Sequence, residues 1–157
     1  MIIQDTLSTK AKAVIKTSTP LLREYGESIA KRTYDILFEK YPQVKPLFAK
    51  APSNQPHLLA RSIMAFCENV DNLDSIMKDL EIISQRHVAA DVHPGHYTMF
   101  GQSLLQAVQE ILGKQASEEI ICAWKDAYFF FADILIERER ELSTNCAAKE
   151  RTDVATA

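Results

Sequence analysis

Only four glycines occur in this chain of 157 residues. A β-rich protein needs a turn residue every few positions, so this scarcity points to long helices joined by few tight turns. The prolines reinforce the reading, because proline starts or stops helices far more easily than it sits inside them. Leu7, Ala11, Val14 and Ile15 recur at helical spacing over about 5–18. Thr19-Pro20 is expected to end that helix and begin another, which runs to Tyr41-Pro42 and carries Leu22, Ile29, Tyr34, Leu37 and Phe38. A short piece, QVKPLF, and a loop over 49–54 follow. Further helices are expected over about 55–70, 73–88, 94–112 and 117–142, with Gly113 closing the third of these segments. The fold class is all-α, with six to eight helices and no convincing strand.

The length suits one domain with a real hydrophobic core, placed at residues 1–142. The tail at 143–157 is small and polar and is expected to be disordered. Apolar residues make up 46% and charged ones 25%, and the net charge is −3 with no run of five like charges. That excludes a nucleic-acid footprint and a basic membrane-binding helix. The first residues lack the apolar run of a secretory signal, and no stretch is long enough to anchor in a bilayer. The chain reads as cytoplasmic. Its three cysteines, Cys67, Cys122 and Cys146, are an odd number with no framework spacing. Cys67 and Cys122 fall in apolar stretches and read as small buried hydrophobes.

Polar residues continue the apolar stripes of several helices. Ile76, Leu80 and Ile83 lead to His87, about three turns from Ile76 and on nearly the same side. Alone, His87 reads as a core histidine bonded to a backbone carbonyl. Trp124, Tyr128, Phe131 and Leu135 lead in the same way to Glu139. Either its carboxylate is buried with a partner, or the helix emerges into solvent there. Gln55 precedes Leu59, Phe66 and Val70 on one face, and it also fits a helix start with local hydrogen bonds. Tyr34 offers an inward hydroxyl or is simply a core tyrosine. Together these residues describe an apolar slot with a nitrogen ligand on one side and two hydrogen-bond donors on the other. That is the chemistry of a haem pocket. With no C-x-x-C-H, such a haem would lack thioether bonds. His57, His93 and His96 complete the histidines; the last two read as exposed, since a metal site there would lack a third ligand.

Four stretches bear a family resemblance: TPLLREYGESIAKRTYDILFEKYPQVKPLF, QPHLLARSIMAFCENVDNL, QRHVAADVHPGHYTMFGQSLLQAVQEIL and AWKDAYFFFADILIERERELS. In this order they resemble the globin domain of bacterial flavohaemoglobins and their single-domain relatives, over about residues 5–142. The resemblance implies a globin fold enclosing haem b (iron protoporphyrin IX), with His87 as the proximal iron ligand. It assigns the distal tyrosine and glutamine to Tyr34 and Gln55. Phe48 would pack on the haem face, and Leu59 would face the iron. Tyr97 and Glu139 would hold the proximal histidine. The chain departs from the family where HYPIVG is replaced by HYTMFG, so that Thr98, Met99 and a bulky Phe100 reshape the proximal side.

The resemblance also implies ligands and partners. O₂, nitric oxide and other diatomic gases would bind the iron. A carboxylate on the histidine's second N–H makes the ring a more basic ligand, and Tyr34 with Gln55 would donate to bound oxygen. Nitric oxide would then be oxidised to nitrate. Flavohaemoglobins carry a flavin and nicotinamide reductase domain, whose work would here fall to an external reductase. The alternatives are an oxygen store or carrier without turnover, and a helical core without haem in which His87 and Glu139 satisfy each other. The oligomeric state, monomer or homodimer, is open at this level.

Overall fold

The first long helix, α1 (Thr9–Lys40), starts where Ser8 Oγ accepts the Ala11 amide at 3.0 Å. It then runs through Pro20, where the sequence pattern predicts a break. The reason lies in its buried stripe. Ala11, Ile15, Ser18, Leu22, Gly26, Ile29, Thr33 and Ile36 keep helical phase on both sides of the proline. Pro20 and Lys16 are on the exposed side, so water can take the carbonyl that the missing N–H leaves free.

The computed structural model describes residues 4–155. Among the described residues it has five α-helices, three short 3-10 segments and no strand. After α1 comes a 3-10 segment, Pro42–Phe48, and then α2 (Gln55–Glu68). Leu73–Ile76 forms a second 3-10 turn, which leads into α3 (Met77–Ala89). The fourth helix, α4 (Pro94–Leu112), ends at Gly113, whose φ of 54° lies in the region that glycine tolerates best. A last 3-10 turn, Gly113–Gln115, precedes α5 (Glu118–Ala155), where Ser117 Oγ accepts the Ile120 amide. Residues 1–3 and 156–157, the outer ends of the expected domain and tail, lie outside the described residues.

Two expectations change. Residues 143–151 continue α5 as exposed helix instead of a disordered tail. They include no glycine or proline, and Ala147, Ala148, Lys149, Glu150 and Arg151 are all good helix formers. Cys122 is exposed, because the buried face of α5 passes through Ala123, Trp124 and Ala127; Cys67 is buried as expected.

Helix α1 packs on α2, α4 and α5, while α3 leans on α5. Helices α2 and α3 are consecutive α-helices, yet no extensive packing joins them to each other. The main core contains Ile15, Ile29, Leu80, Val108 and Trp124. A second cluster of Tyr34, Leu37 and Val44 is flanked by Phe38, Phe48, Leu59, Met99 and Phe100.

Helices α4 and α5 meet closely at Gly101. A Cβ there would stand 2.8 Å from Tyr128 Cδ1 and closer still to Cε1. Gly101→Ala should gain about 1 kcal/mol of helix propensity and lose about 1–3 kcal/mol to overpacking. The expected outcome is a net loss of stability, read as a lower urea midpoint.

Candidate functional site

His87 lies in the last turn of α3, and its side chain is 34% exposed. Its Nδ1 is 2.8 Å from Glu139 Oε1 and 2.8 Å from the Tyr97 hydroxyl. Tyr97 in turn donates to Glu139 Oε1 at 2.6 Å. Glu139 is only 7% exposed, so the helix does not emerge into solvent at this point. A carboxylate can only accept, which means the imidazole proton must sit on Nδ1. In the neutral ring Nε2 is then an unprotonated lone pair. It makes no hydrogen bond among the described residues. The backbone-carbonyl partner that a core histidine would use is replaced by this carboxylate.

One residue away on α5, Arg138 makes a two-point bridge to Glu81 of α3, with Nε–Oε2 at 2.6 Å and NH2–Oε1 at 2.9 Å. Its NH1 also reaches Glu141 at 2.9 Å. Arg138 holds the Glu81 carboxyl below its ordinary value and is itself raised by the same contact. This fork ties α3 to α5 close to where His87 meets Glu139.

On the other side, Tyr34 is 7% exposed and its hydroxyl accepts a hydrogen bond from Gln55 Nε2 at 3.2 Å. Burial raises the Tyr34 phenol, and the Gln55 bond partly opposes it. Phe48 meets the Tyr34 ring edge-on at 5.4 Å, and Leu59 packs against the same cluster. A cavity of about 210 Å³ opens here, lined by Tyr34, Phe38, Phe48, Ala51, Pro52, Gln55 and Pro56. It has room for small molecules, not for a macrocycle.

The donor set fits a haem. One imidazole nitrogen with a fixed lone pair lies on α3, and a hydroxyl and an amide lie near the start of α2. The intervening helices do not close on each other, and half-buried Leu59, Ile63, Met64 and Ile83 lie along them. Tyr34, Gln55, Phe48 and Leu59 are thus brought together at one place, and His87, Tyr97 and Glu139 at another. Phe100 differs from expectation. Its ring reaches Tyr34 at 6.0 Å and stacks on Tyr128 at 6.2 Å. Phe38, Ala51 and Pro52 carried no polar signal that sequence reasoning could use. Among the described residues no group of three or more acidic, histidine or cysteine side chains is placed to hold a free metal ion; His93 is exposed as expected, whereas His96 is half-buried because its Nδ1 accepts the His93 amide at the start of α4. No described helix is long and apolar enough to cross a membrane.

Comparison with known proteins agrees with this geometry. The Globin family model matches residues 31–135. A globin-like protein of Aquifex aeolicus is 41% identical over 136 residues, covering 87% of this chain and 96% of that protein. A flavohemoprotein of Halalkalibacterium halodurans is 35% identical and covers 87% of the chain, which spans only 34% of that longer protein. A solved structure, an engineered carbene transferase from Rhodothermus marinus, superposes with a TM-score of 0.87 at 31% identity. It covers 90% of this chain and 99% of its own. The chain belongs to the globin family and has the globin fold, and with flavohemoprotein relatives this implies haem and oxygen binding.

Burial also raises the Tyr128 phenol, whose hydroxyl donates to the Tyr97 carbonyl at 2.6 Å. An unfolded tyrosine ionises near pH 10, whereas the folded one stays neutral there. Its stabilisation is therefore full below about pH 10 and is lost as pH rises toward the folded value. Urea midpoints should fall between pH 9 and pH 11, and fall less in Tyr128→Phe.

Proposed function

We propose that this chain is a cytoplasmic haem b protein that binds O₂ reversibly and oxidises nitric oxide to nitrate with electrons from a separate reductase. The single observation that carries the reading is the hydrogen-bonded set of His87, Glu139 and Tyr97, which holds Nδ1 and leaves the Nε2 lone pair of His87 free among the described residues. When bound, haem supplies the iron that holds a diatomic gas and the redox change that the conversion needs.

The chain's own residues do the rest. His87 Nε2 is the iron ligand. Glu139, accepting from Nδ1, makes the imidazole a stronger electron donor and fixes the plane of the ring. Tyr97 holds the carboxylate in place. Phe48 and Leu59 wall the slot and keep water out. Tyr34 turns its O–H toward the gas, and Gln55 stands beside it as a second donor. In a dry pocket a hydrogen bond to a partly negative ligand is much stronger than in water. Nitric oxide and O₂ combine with one electron to give nitrate, so each turnover leaves the site one electron short. The all-helical domain has no sheet on which a dinucleotide could bind among the described residues, so that electron is delivered from outside it.

Haem added to the purified protein should give a Soret band that is lost or strongly shifted in His87→Ala. Absence of haem uptake by the unaltered protein overturns the proposal. Tyr34→Phe should speed O₂ release about tenfold, the equivalent of about 1.4 kcal/mol of lost hydrogen bonding. Mixing the oxygenated protein with nitric oxide should yield nitrate, with continued turnover once a reductase is supplied. Oxygen binding without nitrate would leave storage or delivery as the role.

A further inference from the structure

We propose that Phe100 is a positioning residue for the Tyr34 hydroxyl, fixing from behind the direction in which that group faces the gas-binding cavity. The inference rests on the haem reading of the site and adds a residue to it.

The Tyr34 ring is held by three others. Phe48 stands edge-on at 5.4 Å, Phe38 is tilted at 5.9 Å, and Phe100 meets it at 6.0 Å with planes 70° apart. Phe38 and Phe48 line the cavity, but Phe100 does not. Phe100 therefore backs the ring instead of walling the ligand space. Among the described residues the only hydrogen bond to the Tyr34 hydroxyl is the one from Gln55 Nε2, and at 3.2 Å it is long. A long bond from a neutral amide is a weak aiming device. Each aromatic pair is worth about as much as such a bond, so ring packing outweighs it in setting the phenol's angle.

Phe100 is itself seated. It stacks on Tyr128 at 6.2 Å with planes 22° apart, and Tyr128 donates to the Tyr97 carbonyl at 2.6 Å. Gly101 leaves the space in which the Tyr128 ring lies. A run of contacts thus joins Tyr97, which touches His87, to Tyr34 on the opposite side. A small aliphatic at position 100 would leave Tyr34 free to rotate backward, away from the ligand.

The test uses Phe100→Val, with Phe100→Leu as a bulkier replacement should the first fold poorly. In the haem-loaded protein the carbonyl stretch of the carbon monoxide complex reports the donor facing the ligand. It should shift toward that of Tyr34→Phe, and O₂ release should quicken about two- to tenfold, the range one aromatic pair sustains. In a Tyr34→Phe background the same change at Phe100 should have no further effect. An unaltered stretch and rate would overturn the proposal, as would an equal effect in that background. The flip rate of the Tyr34 ring, measured by NMR in the cofactor-free protein, should rise in Phe100→Val, and an unchanged rate counts against the proposal. That readout needs no haem, so failure of haem uptake and failure of this inference are told apart.

Discussion

An imidazole has two nitrogens, and what one of them does decides what the other is free to do. In this chain Glu139 takes the Nδ1 proton of His87, with Tyr97 pinning the same carboxylate oxygen. Without that contact the ring could turn over or change tautomer, and Nε2 would lose its fixed direction. The contact in turn requires a nearly buried carboxylate, which is costly unless it is well bonded. Two donors converging on Oε1 meet that condition. The structure therefore depends on three helices, α3, α4 and α5, meeting at one oxygen atom.

The long helices supply the frame for this meeting. Tyr97 opens its helix just after the proline that starts it, and Glu139 comes about three turns beyond Tyr128, on the same stripe. The Arg138–Glu81 fork binds α3 to α5 on the neighbouring face. Meanwhile α1 carries Tyr34 toward Gln55 from the other direction. Of the helices that bear the two polar groups, α2 with Gln55 and α3 with His87 have no extensive packing on each other. Apolar residues lie between, half-buried, as suits a slot meant to take a flat hydrophobic guest.

Much of this was legible in the sequence because helical periodicity is a strong signal. His87 and Glu139 continue apolar stripes, so spacing offered an inward direction for both, though for Glu139 it left solvent exposure equally open and it did not give their pairing. Spacing says which way a side chain points and nothing about what waits there. Proline was misleading at position 20, where local preference lost to a buried stripe that continues in phase. Cys122 was misread for a related reason, since an apolar neighbourhood in sequence spans both faces of a helix. The last segment of α5 was missed because polarity was taken for disorder when the residues are helix formers. The contacts of Phe100 with Tyr34 and Tyr128 could not be read from spacing, since both partners lie far along the chain.

The position of Tyr34 within α1 has one more consequence. The helix is 32 residues long and contacts three of the other four helices, and this residue lies on its buried face between Thr33 and Ile36. Side chains on loops or frayed ends can open locally, at little cost in free energy. For Tyr34 that route is costly, since releasing its backbone means unpacking the buried Thr33, Ile36 and Leu37 around it. Amide exchange around it is thus slowed by the packing of α1, and Tyr34 is the steadier wall of a cavity whose other side is loop residues Ala51 and Pro52.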